Sequence, residues 1–184
     1  QKILFILLPK KSSERIKKSY DKIKLLLSRY FAGLILQIFI LFVFYTIILL
    51  IIGTPNAVVI AFLCSLLNLI PFIGPFIGGI LMVLLTMSSH ISEDFSSVIL
   101  PKATYVAIGF TIGQLIDNFL SQPFIFSNSV KSHPLEIFFV IIIAGLLFGP
   151  IGMIAAIPAY TALKVIGKEF LSENRIIKEL TKNL

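Results

Sequence analysis

The sequence predicts an all-α polytopic membrane protein, and three observations support that fold class. The chain has 184 residues, of which 57% are hydrophobic and 14% charged, and its mean hydropathy is +0.99. Soluble domains are about 25% charged and about 45–50% apolar. Long uncharged stretches recur along the chain, and Gly-Pro pairs interrupt two of them. We expect two spanning helices, each followed by a re-entrant helical hairpin, together with a cytoplasmic amphipathic helix.

Positive charge concentrates at the two ends of the chain. Residues 1–30 have a net charge of +7, residues 31–163 a net charge of −2, and residues 164–184 a net charge of +2. Basic residues collect on the cytoplasmic flanks of membrane helices, so we expect both ends to lie in the cytoplasm. Aromatic and basic residues are not interleaved as in a nucleic-acid-binding face, and no nucleic-acid partner is predicted.

The N-terminal segment divides into a short apolar end and a basic helix. Residues 1–10 are interpreted as the end of a truncated upstream transmembrane helix, because their apolar run is too short to span. Residues 11–31 are predicted to form a basic amphipathic helix. Its apolar face consists of Ile16, Tyr20, Ile23, Leu27 and Tyr30. This helix either lies on anionic lipid or packs as a cytoplasmic helix with a solvated charged face.

The transmembrane transport domain is predicted to cover residues 32–167, followed by a cytoplasmic tail over residues 168–184. Its first span, residues 33–53, is uncharged and long enough to cross the hydrocarbon core. Gln37 is the strongly polar side chain of this span, and we expect it to form an interhelical hydrogen bond. Residues 99–120 form the second predicted span.

Two interrupted apolar stretches, residues 57–87 and 135–167, follow the spans. The first contains Gly74-Pro75 and the second contains Gly149-Pro150, 75 residues later. Paired Gly/Pro interruptions in corresponding halves of a chain are typical of transporters built from inverted repeats. The pattern therefore suggests two span-plus-hairpin units that are inverted relative to each other.

Re-entrant hairpins and four simple spans predict different positions for two loops. With hairpins, the acidic loop 88–98 lies outside, and the loop 121–134, which carries Lys131, lies in the cytoplasm. With four simple spans, the loop 88–98 lies in the cytoplasm and the loop 121–134 lies outside. The positive-inside rule favours hairpins on the strength of one lysine.

The two interruptions are the first candidates for a solute or ion path. Non-helical backbone at membrane depth is tolerated only inside protein or beside a water-filled cavity, where broken helices present free N–H and C=O groups. The candidate path residues at the breaks are Asn68, Pro71, Gly74, Pro75, Gly78, Gly79, Gly149, Pro150, Gly152 and Pro158. Alternatively, the glycines serve only to let helices cross closely.

A polar stripe on the second predicted span provides the other candidates. It consists of Thr111, Gln114, Asp117, Asn118 and Ser121. An intramembrane carboxylate is a functional hypothesis by default, so we expect Asp117 to bind a coupling cation or proton. Gln114 and Asn118 are expected to line the same path. The alternative places Asp117 near the cytoplasmic interface, where it is simply hydrated.

Enzyme chemistry finds no support in the sequence. The two histidines lie in separate loops, the single cysteine lies in an apolar run, and no metal-ligand spacing, nucleophile elbow or phosphate loop occurs. We therefore predict no enzymatic activity, no metal and no other cofactor. Glu136 follows His133 and Pro134 and is interpreted as part of a helix start, with a proton-relay role as the alternative.

Four segments of the chain, together with the basic helix, resemble the autoinducer-2 exporter family of bacterial membrane proteins. They are LLNLIPFIGPFIGG (66–79), QLIDNFLSQPFIF (114–126), SHPLEIF (132–138) and LLFGPIGMIAAIPAYTALK (146–164). The resemblance covers nearly the whole chain. The family typically shows Glu where this chain has Asp117, so the chain departs from the family's pattern there by one methylene.

The resemblance implies a transporter of the bacterial inner membrane, longer than this chain and assembled as a homo-oligomer. It implies export of a small polar solute such as autoinducer-2, or the sodium/proton antiport linked to other members. We expect the breaks at residues 71–79 and 149–158 to face each other at the site. A non-transporting membrane scaffold that anchors partners through its basic helix is the alternative from another functional class.

Overall fold

The structure, a computed structural model, describes residues 10–121 and 133–170 of the chain. Every regular element within those two ranges is helical, which confirms the predicted all-α class. The helices are α1 (Lys10–Ile52), α2 (Ala57–Leu67), α3 (Ile73–Ser89), α4 (Leu100–Ile116) and α5 (Pro134–Phe170). One π-helical turn, Phe95–Ile99, leads into α4, and a second, Asp117–Ser121, extends it.

Three predicted segments fall outside the described residues. They are the upstream helix end as far as residue 9, the loop residues 122–132 with Lys131, and the tail from residue 171 onwards. The choice between hairpins and four spans rests on that loop, and it therefore stays a prediction.

Helix α1 joins two predicted elements, because the basic segment and the first span form one helix of 43 residues. It contains no proline, and Gly33 costs only about 1 kcal/mol in a helix interior, too little to end so long a helix. Tyr20, predicted on the apolar face, is 57% exposed, whereas Ser19 is buried. The buried stripe of α1 continues at spacings of three or four through Leu26, Tyr30, Leu34, Gln37, Leu41, Tyr45 and Leu49.

The chain divides into two compact units, which are described separately here. One comprises residues 1–31 and 126–184, and the other comprises residues 32–125. The second unit contains the apolar part of α1 together with α2, α3 and α4. Its core is formed by Leu41, Tyr45, Leu49, Ala57, Ile60, Ala61, Cys64, Met82 and Val106.

Helices α2 and α3 form an antiparallel hairpin around the first interruption. The chain turns at Phe72, whose φ of 66° is unusual for a residue with a side chain. Gly74, in the first turn of α3, lies so close to the Leu67 carbonyl that a Cβ atom would overlap it. A Cβ atom on Gly78 would lie 3.3 Å from the Cys64 carbonyl oxygen. Residues later in α3 therefore contact residues earlier in α2, as in an antiparallel pair of helices.

Helix α4 packs closely against α1 through two glycines. Gly109 lies against the side chain of Ile48, and Gly113 lies against the ring of Tyr45. Small residues let apolar helices approach each other closely, and the resulting packing replaces a hydrophobic driving force that lipid cannot supply. Helix α4 also contacts α3, so the hairpin and the second predicted span form one packed assembly.

Helix α5 folds back on itself at Gly149. Its φ of 66° and ψ of −155° define a conformation that is essentially restricted to glycine. Gly152, after the turn, lies against the carbonyl of Ala144 before it, and Glu136 forms an ion pair with Lys164. Because both contacts are centred on the turn, the two arms of α5 run antiparallel.

The two Gly-Pro pairs, which the sequence matches to each other, hold different structural positions. Gly149 is itself the turn residue, and Pro150 begins the second arm. Gly74 and Pro75, by contrast, lie within the first turn of α3, after the turn residue Phe72. Proline is tolerated there because the N–H groups of a first turn lack intrahelical acceptors. The two pairs therefore differ in local structure, and the inverted repeat stays a prediction.

Within residues 10–121 and 133–170, three helical stretches are long and apolar enough to cross a membrane: Ile16–Ile52, Phe95–Phe119 and Leu135–Glu169. The first two include most of the two predicted spans. The third is divided by the reversal at Gly149, so its length alone does not establish a single crossing. Helices α2 and α3 are apolar but shorter. Re-entry of the two hairpins into the membrane stays a prediction.

Candidate functional site

Five polar side chains meet where α1 and α4 approach the end of α2, and we call this group the polar cluster. Its members are Gln37, Tyr45, Asn68, Gln114 and Asp117. All five belong to the compact unit of residues 32–125. Four of them are buried, and Gln114 is partly buried.

Asp117 is the only charged member of the polar cluster. Its side chain is 1% exposed, and Nε2 of Gln37 donates a hydrogen bond to its Oδ2 over 2.7 Å. The bond joins α4 to α1 and confirms the interhelical role predicted for Gln37. The burial of Asp117 argues against the alternative in which this carboxylate is simply hydrated.

Gln114 connects α4 to the other two elements. Its Nε2 donates to the hydroxyl oxygen of Tyr45 over 2.7 Å and to Oδ1 of Asn68 over 3.1 Å. One amide nitrogen carries two hydrogens, so both bonds form at once. Nδ2 of Asn68 donates in turn to the carbonyl of Cys64 over 3.1 Å, which satisfies one of the free carbonyls at the end of α2.

The local structure of each helix places its polar residues on one face. Gln37 and Tyr45 are eight residues apart, about two helical turns, so both lie on the buried stripe of α1. Gln114 and Asp117 are three residues apart and share a face of α4. Asn68 is the residue at which α2 ends.

The surroundings of the polar cluster strengthen its hydrogen bonds. Tyr45 stacks on Phe110 with ring centroids 5.3 Å apart, and the apolar core packs on the same helix. In such a low-dielectric setting hydrogen bonds are strong, and losing a partner is costly. The cluster offers amide, hydroxyl and carboxylate groups, which can exchange hydrogen bonds with a small polar molecule. Its carboxylate can also take up a proton or a cation.

The structure brings together three of the predicted path residues, Asn68, Gln114 and Asp117. Asn118 lies on the exposed side of the π-helical turn instead. Tyr45 was missed by sequence reasoning, although its two-turn spacing from Gln37 was a usable signal. Tyr45 is flanked in the sequence by aromatic and aliphatic residues, and a tyrosine in such a run is most simply interpreted as a core residue.

The predicted path residues at the first break have close packing contacts. Gly74 and Gly78 lie against α2, and Gly79 lies against an aromatic ring of α4. These contacts favour the alternative interpretation, close helix packing, for the three glycines. Pro71 lies in the break itself, and Pro75 lies in the first turn of α3.

The remaining predicted path residues lie in α5, within the other compact unit. Gly149 forms the turn, Gly152 packs against the opposite arm, and Pro150 and Pro158 lie in the arm after the turn. The predicted meeting of the two breaks at one site stays a prediction.

An ion pair that sequence reasoning missed connects the two arms of α5. Nζ of Lys164 lies 3.3 Å from Oε2 of Glu136, and the hydroxyl of Tyr160 donates to the same oxygen over 3.1 Å. Lys164 is 8% exposed, and its ammonium lies 5.5 Å from the centroid of the Tyr160 ring. Glu136 and Lys164 are equally distant in sequence from Pro150, which was a usable signal. The helix start predicted around Glu136 is confirmed.

Metal-binding groups are absent from the part of the chain that the structure describes. In residues 10–121 and 133–170, no three His, Cys, Asp or Glu side chains are placed to hold a metal ion together. The chemistry available in the polar cluster is therefore that of hydrogen bonding and of one carboxylate.

Comparison with known proteins identifies the family. The sequence profile of the family described as "AI-2E family transporter" matches residues 1–172. Two proteins of Bacillus subtilis (strain 168) are similar to the chain. "Putative transport protein YrrI" is 32% identical over 145 residues, which are 79% of this chain and 38% of that protein. "Putative transport protein YueF" is 32% identical over 129 residues, which are 70% of this chain and 32% of that protein.

The matched regions set the extent of the similarity. The chain covers between 32% and 38% of the length of these two relatives. No solved structure matches the chain. The family profile, however, extends over nearly all of this sequence, including both breaks and the polar cluster. The chain belongs to the AI-2E family of transporters.

Proposed function

We propose that the protein exports a small polar solute across the bacterial inner membrane and that the polar cluster lies on the solute path. The observation that carries this proposal is the set of hydrogen bonds joining Gln114 to Asn68 and Asp117 to Gln37. The first of these bonds lies at the first interruption and the second joins the two predicted spans, among helices that are otherwise apolar. Membership of a transporter family supports transport as the activity.

The chemistry of the polar cluster supports a solute with several hydroxyl or carbonyl groups. Amides and phenols exchange hydrogen bonds with such groups in both directions. An apolar ligand would displace these partners and leave each buried polar group unsatisfied, at a cost of about 1–3 kcal/mol. A small polar solute of the class indicated by the family's name meets this requirement.

Asn68 connects the solute path to the hairpin. The residue ends α2 and bonds to Gln114 on α4. A solute that takes over the bond from Gln114 releases the end of the hairpin from α4. Solute binding is then linked to movement of the α2–α3 hairpin, which is the element that opens the path alternately to each side. Differential contacts of this kind are what a ligand needs to shift a conformational equilibrium.

Cation/proton antiport is the second candidate function, and the buried Asp117 favours it. A carboxylate changes charge when it takes up a proton, and Gln37 donates to its Oδ2. Alternating occupancy by a proton and a cation would change the strength of that bond and thereby the packing of α1 on α4. Intramembrane carboxylates commonly mark ion pathways and proton relays.

The setting of the protein follows from its charge distribution and its family. We place the basic segment of α1 and the C-terminal tail in the cytoplasm, because basic flanks face that side. We also propose a homo-oligomeric assembly embedded in the lipid bilayer, with the two helix breaks facing each other within the transport domain.

The test is transport by the full-length protein in proteoliposomes. Solute efflux is followed together with internal pH, with and without a sodium gradient. Asp117→Asn preserves the shape of the side chain and removes its charge, and we expect it to abolish ion-coupled flux. Gln114→Leu is expected to reduce solute flux at least tenfold. The exposed hydroxyl of Thr111 bonds within its own helix, so Thr111→Val serves as the matched control.

Each outcome separates the candidate functions. Solute flux that survives in Asp117→Asn without a pH change would support uncoupled export and reject the coupling role. Exchange of sodium for protons without solute movement would select antiport. A protein that moves neither solute nor ions would support the scaffold alternative and overturn the proposed transport function.

A further inference from the structure

A groove outside the polar cluster lies between the last turns of α1 and the first turns of α4. It encloses about 740 Å³. No member of the polar cluster lines it, so it is a separate feature of the same compact unit. Its apolar walls are formed by Ile48, Ile51, Ile52, Val98, Ile108 and Ile112.

The groove is elongated along α4. Gly109 lets Ile48 approach α4 closely at the floor of the groove. The lining extends from Ser97 to Ile112. At 1.5 Å per residue that is a rise of roughly 20 Å. This is more than one leaflet of a hydrocarbon core about 30 Å thick. An apolar groove of this length accommodates an acyl chain.

One end of the groove carries a positioned cation. Lys102 lines the groove, and its Nζ donates to Nε2 of His90 over 2.7 Å. His90 is 4% exposed, and its Nδ1 lies 2.9 Å from the carbonyl oxygen of Thr86. A carbonyl only accepts hydrogen bonds, so Nδ1 carries the proton and Nε2 accepts from the lysine. Lys102 is therefore positioned by its hydrogen bond to the His90 ring.

An anion borders the same end of the groove. Oδ2 of Asp94 accepts hydrogen bonds from the backbone N–H and from the hydroxyl of Ser97, each over 2.8 Å. These bonds lower the pKa of the Asp94 carboxyl and keep it ionised. Ser97 lines the groove, so this carboxylate lies at its rim. Among the described residues, Lys102 and Asp94 form no ion pair with each other.

We propose that this groove binds a glycerophospholipid with an ethanolamine headgroup. One acyl chain lies along the isoleucine wall, the phosphate accepts hydrogen bonds from Lys102, and the primary ammonium donates to Asp94. Lys102 and Asp94 match the two charges of this headgroup in kind.

Other phospholipid headgroups match the rim less well. A glycerol headgroup supplies a phosphate for Lys102 but no cation for Asp94, and the exposed acids Glu93 and Asp94 repel its net negative charge. A choline headgroup carries a quaternary ammonium without N–H donors, so it cannot form the hydrogen bonds that Asp94 accepts.

The test uses tryptophan fluorescence, because residues 1–184 contain no tryptophan and any tryptophan elsewhere in the full-length protein is replaced by phenylalanine. Ile51→Trp places a reporter in the groove at a position that is 79% exposed. Ile35→Trp, on the same helix at 68% exposure and outside the groove, is the control reporter. The full-length protein is reconstituted in phosphatidylcholine vesicles. Increasing fractions of phosphatidylethanolamine, phosphatidylcholine or phosphatidylglycerol, brominated on their acyl chains, then quench the reporters.

We expect half-maximal quenching of the Ile51→Trp reporter at an about fivefold lower fraction of phosphatidylethanolamine than of phosphatidylcholine. That ratio is of the size that one hydrogen bond contributes to binding, here the bond from the ammonium to Asp94. The Ile35→Trp reporter should show no preference. Asp94→Asn should remove the preference. Lys102→Gln should keep it, because the phosphate that Lys102 binds is common to both lipids, and Thr104→Val, whose exposed hydroxyl bonds within α4, should keep it too.

Three results would overturn the proposal. They are equal quenching by all three lipids, a preference for phosphatidylglycerol, and a phosphatidylethanolamine preference that Asp94→Asn retains. Quenching of the Ile35→Trp reporter alone would show that protein, such as a second copy of the chain, covers the groove. Asp94→Glu keeps the charge, and restored preference in that variant shows that the loss in Asp94→Asn is not a folding defect.

Discussion

Gln37 donates a 2.7 Å hydrogen bond to Asp117, although 80 residues separate the two in the sequence. This bond joins a neutral amide to a buried carboxylate. It ties the first predicted span to the second. The bond fixes the orientation of the buried Asp117 carboxylate.

Replacing Gln37 by Leu should destabilise the protein through Asp117. The substitution removes a donor from a buried carboxylate oxygen, so we expect the free energy of unfolding to fall by about 1–3 kcal/mol. Thermal unfolding in detergent measures the change. The effect should shrink in an Asp117→Asn background, and an equal loss in both backgrounds would show that Gln37 acts elsewhere. Thr46→Val is the control, because that hydroxyl bonds within α1 itself.

Gly74→Ala should open the α2–α3 hairpin. The added Cβ would overlap the Leu67 carbonyl, which is backbone and cannot rotate away. We expect a loss of about 3 kcal/mol, since overpacking of this kind outweighs the roughly 1 kcal/mol gained in helix propensity. Gly79→Ala is the matched control, because its Cβ would meet only the movable ring of Phe110. Equal stability of the two variants, measured by thermal unfolding, would contradict the close packing at Gly74.

The ion pair in α5 predicts a non-additive double mutant. Glu136→Gln removes a charge beside Lys164, which is 8% exposed, so we expect a loss of about 1–3 kcal/mol in unfolding free energy. Adding Lys164→Met should recover part of that loss, because it removes the buried ammonium whose charge the Glu136 carboxylate compensated. Thermal unfolding of the two single variants and the double variant measures the coupling. Strict additivity would show that the two side chains act independently.

The turn before α4 should weaken in acid. Hydrogen bonds from Ser97 lower the pKa of Asp94 in the folded state. The stabilisation is therefore fully present above the unfolded pKa of about 3.9 and is lost as the pH falls through the lower folded value. Hydrogen exchange at the Ser97 amide, expressed as a protection factor, should drop across that range. Asp94→Asn should abolish the drop and Glu93→Gln should retain it, whereas a drop that persists in Asp94→Asn would assign it to another group.

Much of the fold could be predicted because bilayer physics constrains it strongly. Uncharged stretches of sufficient length must be helical at membrane depth, and the all-helical structure agrees. The two interruptions could be located because Gly and Pro are disfavoured in helix interiors. Their detailed form could not be predicted. At the first break Phe72 takes the positive φ, and Gly74 packs within α3.

The candidate site was only partly predictable for a related reason. Gln114 and Asp117 share a helix face, and their three-residue spacing is visible in the sequence. Gln37 was expected to bond across helices without a named partner. Tyr45 and Lys164 carry no local signal strong enough to distinguish a site from core or flank, since their partners lie 69 and 28 residues away.

The sequence by itself determined the membrane class, the helical elements, the places of the two breaks and the family to which the chain is similar. These features depend on composition and on periodicity over a few helical turns, both of which involve only residues that are close in the sequence. The tertiary structure decided that Asp117 bonds to Gln37, that Gln114 bonds to Asn68 and Tyr45, and that Glu136 pairs with Lys164. Each of these contacts depends on a glycine-mediated approach or a chain reversal between distant segments, and no local pattern specifies which faces then meet.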